Sequence, residues 1–142
     1  MRGWLCVLVL AACSSPAAGG WRGTADIGPI AAYEMSLRFS DNGGKGQVMI
    51  REPTNPSSGQ WFTLCSLQID RRVWVATYDP GSVECQGPAG DRRELRGVVG
   101  EGVAWGEVWQ AGNKTGFFRA FRVPPPAPGE AAAAPSGGAP TP

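Results

Sequence analysis

The residue pattern that most constrains the fold is an alternation of apolar and polar side chains with a period of two. Residues 33–39 read Tyr-Glu-Met-Ser-Leu-Arg-Phe, which is typical of a strand with one buried face. The next residues, Asp41-Asn42-Gly43-Gly44, tolerate positive φ and predict a hairpin turn. The same pattern predicts further strands at Gln47–Arg51, Trp61–Ile69, Arg72–Tyr78, Ser82–Gln86, Glu94–Val99, Val103–Gln110 and Thr115–Val123.

No segment between residues 21 and 123 shows the 3.6-residue period of a helix, so this part of the 142-residue chain is predicted to be all-β. About 100 residues suffice for one independent domain. A meander of hairpin-linked strands leaves unpaired edges unless it closes on itself. We therefore predict a small antiparallel up-and-down barrel of about eight strands, with a two-sheet β-sandwich as the alternative.

The first twelve residues have the features of a targeting segment. Arg2 supplies a positive charge, and residues 4–10 are an unbroken apolar run that is too short to span a bilayer. Two alanines and Cys13 follow directly. Residues 1–12 are therefore predicted to be a signal peptide that is removed from the mature protein.

The stretch Leu10-Ala11-Ala12-Cys13 resembles the lipobox of bacterial lipoproteins. The resemblance implies cleavage before Cys13, a diacylglycerol on its thiol and a fatty acid such as palmitate on its amine. Two or three acyl chains hold a protein stably in a membrane without a spanning helix. The expected location is the cell envelope, with the outer membrane favoured in a Gram-negative host and the domain facing the periplasm or the exterior. The alternative is an ordinary secretory signal that is cut near Ala17-Ala18-Gly19.

Two low-complexity segments flank the predicted domain. Residues 13–20 would be the lipidated cysteine and a flexible tether of Ser, Pro, Ala and Gly. Residues 124–142 hold a single charged residue, Glu130, and no large apolar one, which predicts a disordered Pro/Ala/Gly-rich tail. The barrel domain is accordingly assigned to residues 21–123.

Cys65 and Cys85 are expected to form a disulfide. Cys6 leaves with the signal peptide and Cys13 carries lipid, so an even pair remains in an oxidising compartment. Closing a loop of about 20 residues stabilises a domain by roughly 3 kcal/mol in the chain-entropy model. The alternative is a metal site, which two thiolates without His or Cys-x-x-Cys spacing would make poorly.

Three glycine-containing stretches lie towards the end of the predicted domain. They are Arg96-Gly97-Val98-Val99-Gly100, Gly106-Glu107-Val108-Trp109 and Gly116-Phe117-Phe118-Arg119. They resemble the closing hairpins of small lipocalin-like (calycin-like) exported barrels, in which repeated glycines relieve tight curvature. The resemblance implies a barrel. It does not extend to ligand binding, because Trp21 is followed by Arg22-Gly23-Thr24 and the lipocalin signature near the first strand is not complete.

Composition argues against several classes of function. The 13 basic and 12 acidic residues nearly cancel, and the chain has no His. The sequence therefore offers no basic stripe for nucleic acid, and it lacks the commonest general base and metal ligand. We expect no catalytic residue, no metal and no other cofactor. The alternative is an enzyme with a carboxylate pair formed by Glu101 and Glu107.

Trp74, Trp105 and Trp109 are the candidate binding residues. On the predicted strand Val103–Gln110, two of these tryptophans share a face with Glu107, and the opposite face carries smaller residues. If the tryptophan face points inward, it fills the core, and this is the arrangement that we favour. If it points outward, exposed tryptophans mark a binding surface. Trp74 poses the same alternative.

These observations lead to an expected function. We expect a membrane-anchored envelope lipoprotein that is not an enzyme and that binds an envelope or secreted protein, or a small apolar ligand. A sharper form of this hypothesis is an inhibitor of a secreted hydrolase, by analogy of architecture alone. The alternatives are the carboxylate-based enzyme and a structural surface component. No nucleic-acid partner is expected.

Overall fold

The computed structural model describes residues 15–40, 44–55 and 58–125. Within them, eight antiparallel strands pair in chain order and close into a barrel through the first and the last strand. The predicted all-β barrel is therefore confirmed, and the alternative sandwich is wrong. The strands are β1 (Gly19–Ile27), β2 (Ile30–Phe39), β3 (Gly46–Arg51), β4 (Gln60–Asp70), β5 (Val73–Tyr78), β6 (Arg93–Val99), β7 (Val103–Gln110) and β8 (Asn113–Arg122).

The antiparallel order gives the barrel two distinct ends. The lower end holds the start of β1, the end of β8 and the β2–β3, β4–β5 and β6–β7 connections. The upper end holds the β1–β2, β3–β4, β5–β6 and β7–β8 connections. Both chain termini of the barrel therefore lie at the lower end.

Closure of the barrel depends on glycines in β1 and β8. A Cβ added to Gly23 would overlap the carbonyl group of Arg119, and one added to Gly116 would overlap the carbonyl group of Asp26. Glycine is required where two backbones approach this closely. At these positions the glycines thus permit the close approach of β1 and β8 through which the barrel closes.

Aromatic side chains fill the barrel interior. The Trp74 ring centroid lies 5.0 Å from that of Phe39 and 5.5 Å from that of Phe118. Gly97 faces Trp74, and a Cβ there would overlap the indole ring. The largest fully buried side chains are Trp21, Trp74, Tyr78, Met35, Leu37, Leu95, Val48 and Val108. Within the described residues the interior is a packed core, as expected for a barrel of about eight strands.

The connection between β5 and β6 differs from the sequence prediction. Residues Ser82–Gln86, predicted as a short strand, form turns instead. The cause is Asp79, which is buried and whose carboxylate accepts hydrogen bonds from the backbone amides of Gly81 and Gly87, each at 2.8 Å. A side chain that bonds to nearby backbone amides favours turns over strand pairing.

The predicted disulfide between Cys65 and Cys85 is confirmed, with Cα atoms 5.5 Å apart. Cys65 lies on β4, where the register with β5 shifts, and Cys85 lies in the β5–β6 connection. The backbone amide of Thr63 also donates to the carbonyl of Val83 at 2.8 Å. Together these bonds tie the long connection to the barrel wall.

The chain before β1 packs against the lower end. Ala17 is 0% exposed, and the indole Nε1 of Trp21 donates to its carbonyl at 2.9 Å. The guanidinium of Arg122 donates to the carbonyl of Ala18 at 2.7 Å and to that of Pro16. Two small alanines can lie this close to the end of the barrel because they carry no bulk beyond Cβ. Residues 15–18 therefore cap the lower end.

This packing differs from the flexible tether predicted for the residues before Trp21. The first strand begins at Gly19, and residues 15–18 are held by hydrogen bonds and burial. The predicted signal peptide, the lipid site Cys13 and the tail beyond residue 125 lie outside the described residues. In the described ranges, no helix is long and apolar enough to cross a membrane.

Candidate functional site

The orientation of β7 decides which tryptophans can contact a partner. Ala104 and Val108 point inward, because a narrow barrel already filled with large aromatic rings accepts only small side chains there. Trp105 consequently points outward and is 44% exposed, and Trp109 is half-buried on the outer wall. The favoured core-filling arrangement is wrong for these two residues. It is confirmed for Trp74, which is 1% exposed and is not part of the candidate surface.

An apolar groove runs over the outer wall beside Trp105. Val73 on β5 and Phe117 on β8 are 54% and 56% exposed. Strand pairing brings Val73 next to Val98, and Val98 next to Trp105. The backbone of Gly97 and Gly106 contributes to the floor. We call this cavity of about 410 Å³ the aromatic groove; its lining residues are Val73, Arg96, Gly97, Val98, Trp105, Gly106, Glu107 and Phe117.

One charged rim of the aromatic groove is built around Glu107. Its carboxylate accepts a hydrogen bond from Trp109 Nε1 at 2.9 Å and one from Lys114 Nζ at 3.3 Å. The ammonium of Lys114 also lies 4.6 Å from the ring centroid of Phe117. The bond from Trp109 is the main cause that lowers the pKa of Glu107, and Lys114 lowers it further. Glu107 is therefore an anion at neutral pH.

Arg96 separates the aromatic groove from a second cavity nearer the upper end. Its guanidinium forms an ion pair with Glu94 and lies 4.2 Å from the ring centroid of Trp109. The second cavity has a volume of about 380 Å³ and a polar lining that includes Trp109 and Arg92. Among the residues that the structure describes, Arg92 Nε has no hydrogen-bond partner. Trp109 thus faces a polar cavity, and Trp105 faces an apolar one.

The two carboxylates of the enzyme alternative are not brought together. Glu101 is exposed in the β6–β7 turn, whereas Glu107 lies four residues into β7, about 13 Å along the strand from its start. Glu107 accepts hydrogen bonds from Trp109 and Lys114. The described part of the chain also contains no group of three or more His, Cys, Asp or Glu residues that could hold a metal ion.

Sequence reasoning missed Val73 and Phe117 as surface residues. A signal was present in β8, where Phe117, Arg119 and Phe121 alternate with Phe118 and Ala120. Residues two positions apart share a face of a strand, so two of the three phenylalanines had to lie on the same face as Arg119. That face is the outer wall, because Phe118 and Ala120 are buried.

Comparisons of the chain with protein-family models, with curated proteins and with solved structures find no match. The functional assignment therefore depends on the geometry of the aromatic groove and on the sequence of the N-terminus.

Proposed function

We propose that the protein is a lipoprotein of the bacterial cell envelope, anchored by acyl chains on Cys13, and that it acts as a non-enzymatic binding module. Its partner is an envelope or secreted protein, a secreted hydrolase among them, that inserts an apolar segment into the aromatic groove. The observation that carries this proposal is the exposure of Val73 on β5, Trp105 on β7 and Phe117 on β8, all on the wall that β5 to β8 form. Contiguous exposed apolar surface of this kind marks interaction sites in soluble domains.

The groove favours an apolar segment of a protein over a small ligand inside the barrel. The interior is filled by core side chains, so a lipocalin-like cavity is not available within the described residues. The groove volume of about 410 Å³ is large enough for one or two anchor side chains, and it lies within the range of roughly 300–1,000 Å³ for binding pockets. Lys114 and Glu107 at the rim would orient polar groups that flank the segment.

The groove is tested by site-specific photo-crosslinking in the native envelope. A photoreactive amino acid at Phe117 is expected to give a discrete protein adduct, and the same group at Gln47, exposed on β3 of the opposite wall, is expected to give none. The adduct at position 117 should disappear when Trp105→Ser is added. Equal adducts from both positions, or an adduct that survives Trp105→Ser, would refute the groove as the binding site.

The anchor is tested separately by metabolic labelling with an alkyne fatty acid. We expect label on the wild-type protein and none on the Cys13→Ser variant. Absence of label from both proteins would remove the anchor from the proposal and leave a secreted binding domain.

A further inference from the structure

Charges are segregated between the two ends of the barrel. Near the lower end, the described chain has seven basic residues and two acidic ones, which gives a net charge of plus five. The basic residues are Arg22, Arg38, Lys45, Arg71, Arg72, Arg119 and Arg122, and the acidic ones are Asp70 and Glu101.

The upper end has the opposite sign. Four basic residues are outnumbered there by seven acidic ones, a net of three negative charges in the described chain. The basic residues are Arg51, Arg92, Arg93 and Lys114, and the acidic ones are Asp26, Glu34, Glu52, Asp79, Glu84, Asp91 and Glu94. Arg96 and Glu107 are register partners near the middle of the wall, and their opposite charges leave the net charge of either end unchanged. The charges of the chain nearly cancel, but the fold places a net positive charge at one end of the barrel and a net negative charge at the other.

Exposed apolar side chains accompany the positive charge at the lower end. Phe121 is 53% exposed and Val123 is 43% exposed, and both lie where β8 ends. The guanidinium of Arg119 is 5.2 Å from the ring centroid of Phe121. Aromatic rings beside cationic side chains are suited to the interface of a bilayer, where the ring enters the headgroup region and the charge contacts phosphate.

The position of the N-terminus is consistent with the same surface. Residues 15–18 are bound to the lower end through Trp21 and Arg122. Cys13 precedes Ser15 by two residues, which span at most about 7 Å. Acyl chains on Cys13 would therefore enter the membrane directly beside the lower end, with no long linker between them.

We propose that the lower end is a membrane-docking surface that binds anionic phospholipid. The arginines contact headgroup phosphates, and Phe121 and Val123 enter the interface. This inference rests on the proposed anchor at Cys13 only for the place where docking occurs. The surface itself is expected to bind anionic vesicles without any acyl chain. The upper end, with its net negative charge, then faces away from the membrane.

The test uses vesicle flotation of a chain that begins at Ser14 and cannot be acylated. This chain keeps every hydrogen bond and strand described above, and its fold is checked by near-ultraviolet circular dichroism. We expect it to bind vesicles of phosphatidylcholine with 30% phosphatidylglycerol at low salt and not to bind pure phosphatidylcholine. The Arg22→Gln/Arg72→Gln variant should bind about 30-fold more weakly, because each basic residue contributes about fivefold.

Two matched controls separate docking from general charge and from the aromatic groove. Arg51→Gln/Lys114→Gln removes the same charge from the upper end and is expected to leave vesicle binding within about twofold. Phe121→Ser should weaken binding, whereas Phe117→Ser, on the same strand and equally exposed, should not. Equal effects in either pair, or no binding of the parent chain to anionic vesicles, would overturn the proposal. Binding to heparin without binding to vesicles would also overturn it, because the surface would then recognise another polyanion.

The outcome is distinguishable from failure of the proposed function. Labelling of Cys13 and crosslinking at Phe117 report on the anchor and the groove, and neither depends on vesicle binding by the unacylated chain.

Discussion

Loss of the disulfide should remove a defined part of the stability of the barrel. Cys65 and Cys85 are separated by 20 residues. In the chain-entropy model, a cross-link that closes such a loop lowers the entropy of the unfolded chain by about 11 cal/mol/K, which is about 3.3 kcal/mol at room temperature. We therefore expect Cys65→Ala/Cys85→Ala to lower the free energy of unfolding by about 3 kcal/mol.

The corresponding change in melting temperature follows from the size of the domain. A domain of about 105 residues has an unfolding entropy of roughly 0.22 kcal/mol/K near its midpoint, so 3.3 kcal/mol corresponds to a decrease of about 15 °C. Domains of this size are commonly stable by only about 5–15 kcal/mol, so the variant remains folded at room temperature but with a much smaller margin.

The assay is urea unfolding of the chain from Ser14, followed by tryptophan fluorescence, with and without a phosphine reductant. The reductant should destabilise the parent chain by as much as the double substitution does, and it should not affect the double variant. A loss of less than about 1 kcal/mol would refute the reasoning, because the β5–β6 connection would then be held by hydrogen bonds alone. An equal effect of the reductant on the double variant would show that it acts elsewhere.

Three further perturbations test other parts of the structure. Gly97→Ala should lower the free energy of unfolding by about 1–3 kcal/mol, because the new Cβ overlaps Trp74. The control is Gly90→Ala, because Gly90 has open space around it. Equal denaturation midpoints of the two variants would contradict the prediction. Burial is the main cause that raises the pKa of Tyr78 above 10.0 in the folded chain. As the pH rises, the Tyr78 phenol therefore ionises in the unfolded chain before it ionises in the folded one. The free energy of unfolding should consequently fall as the pH rises above 10.0. Tyr78→Phe should flatten this fall in alkaline melts, and an unchanged slope would count against it. Arg122→Met should release residues 15–18 and speed proteolytic cleavage there about tenfold. This is the effect expected for the loss of about 1.4 kcal/mol of charge-assisted hydrogen bonding. Cleavage at the parent rate would show that Arg122 does not hold the segment.

The fold was largely predictable because a strand can be recognised from the pattern of its own residues. The alternation in residues 33–39 and the glycine-containing turns specify where strands run and reverse. Closure followed from the cost of unpaired edges rather than from any single motif. The error at Ser82–Gln86 arose because a short segment has too few residues for alternation to outweigh the turn that Asp79 stabilises.

The candidate site was less predictable, because it depends on which face of each strand points inward. β7 has an aromatic face and a small face, and either could have been the core until the space left by other strands was known. Trp74 and Phe118 occupy that space, so Trp105 must lie outside. The charge difference between the ends is similarly hidden, since basic and acidic residues alternate along the chain and separate only when the strands are placed side by side.

The pairing of β1 with β8 has a consequence for how the protein comes into being. A chain is made from its N-terminus, so β1 has only β2 as a neighbour until the last strand, some 100 residues later, becomes free to pair. Until then the nascent sheet has two open edges, and Arg122 has not yet reached the carbonyls that it binds before β1. The cap over the lower end is thus among the last parts to form, because Arg122 can bind the carbonyls of Pro16 and Ala18 only after β8 has paired with β1.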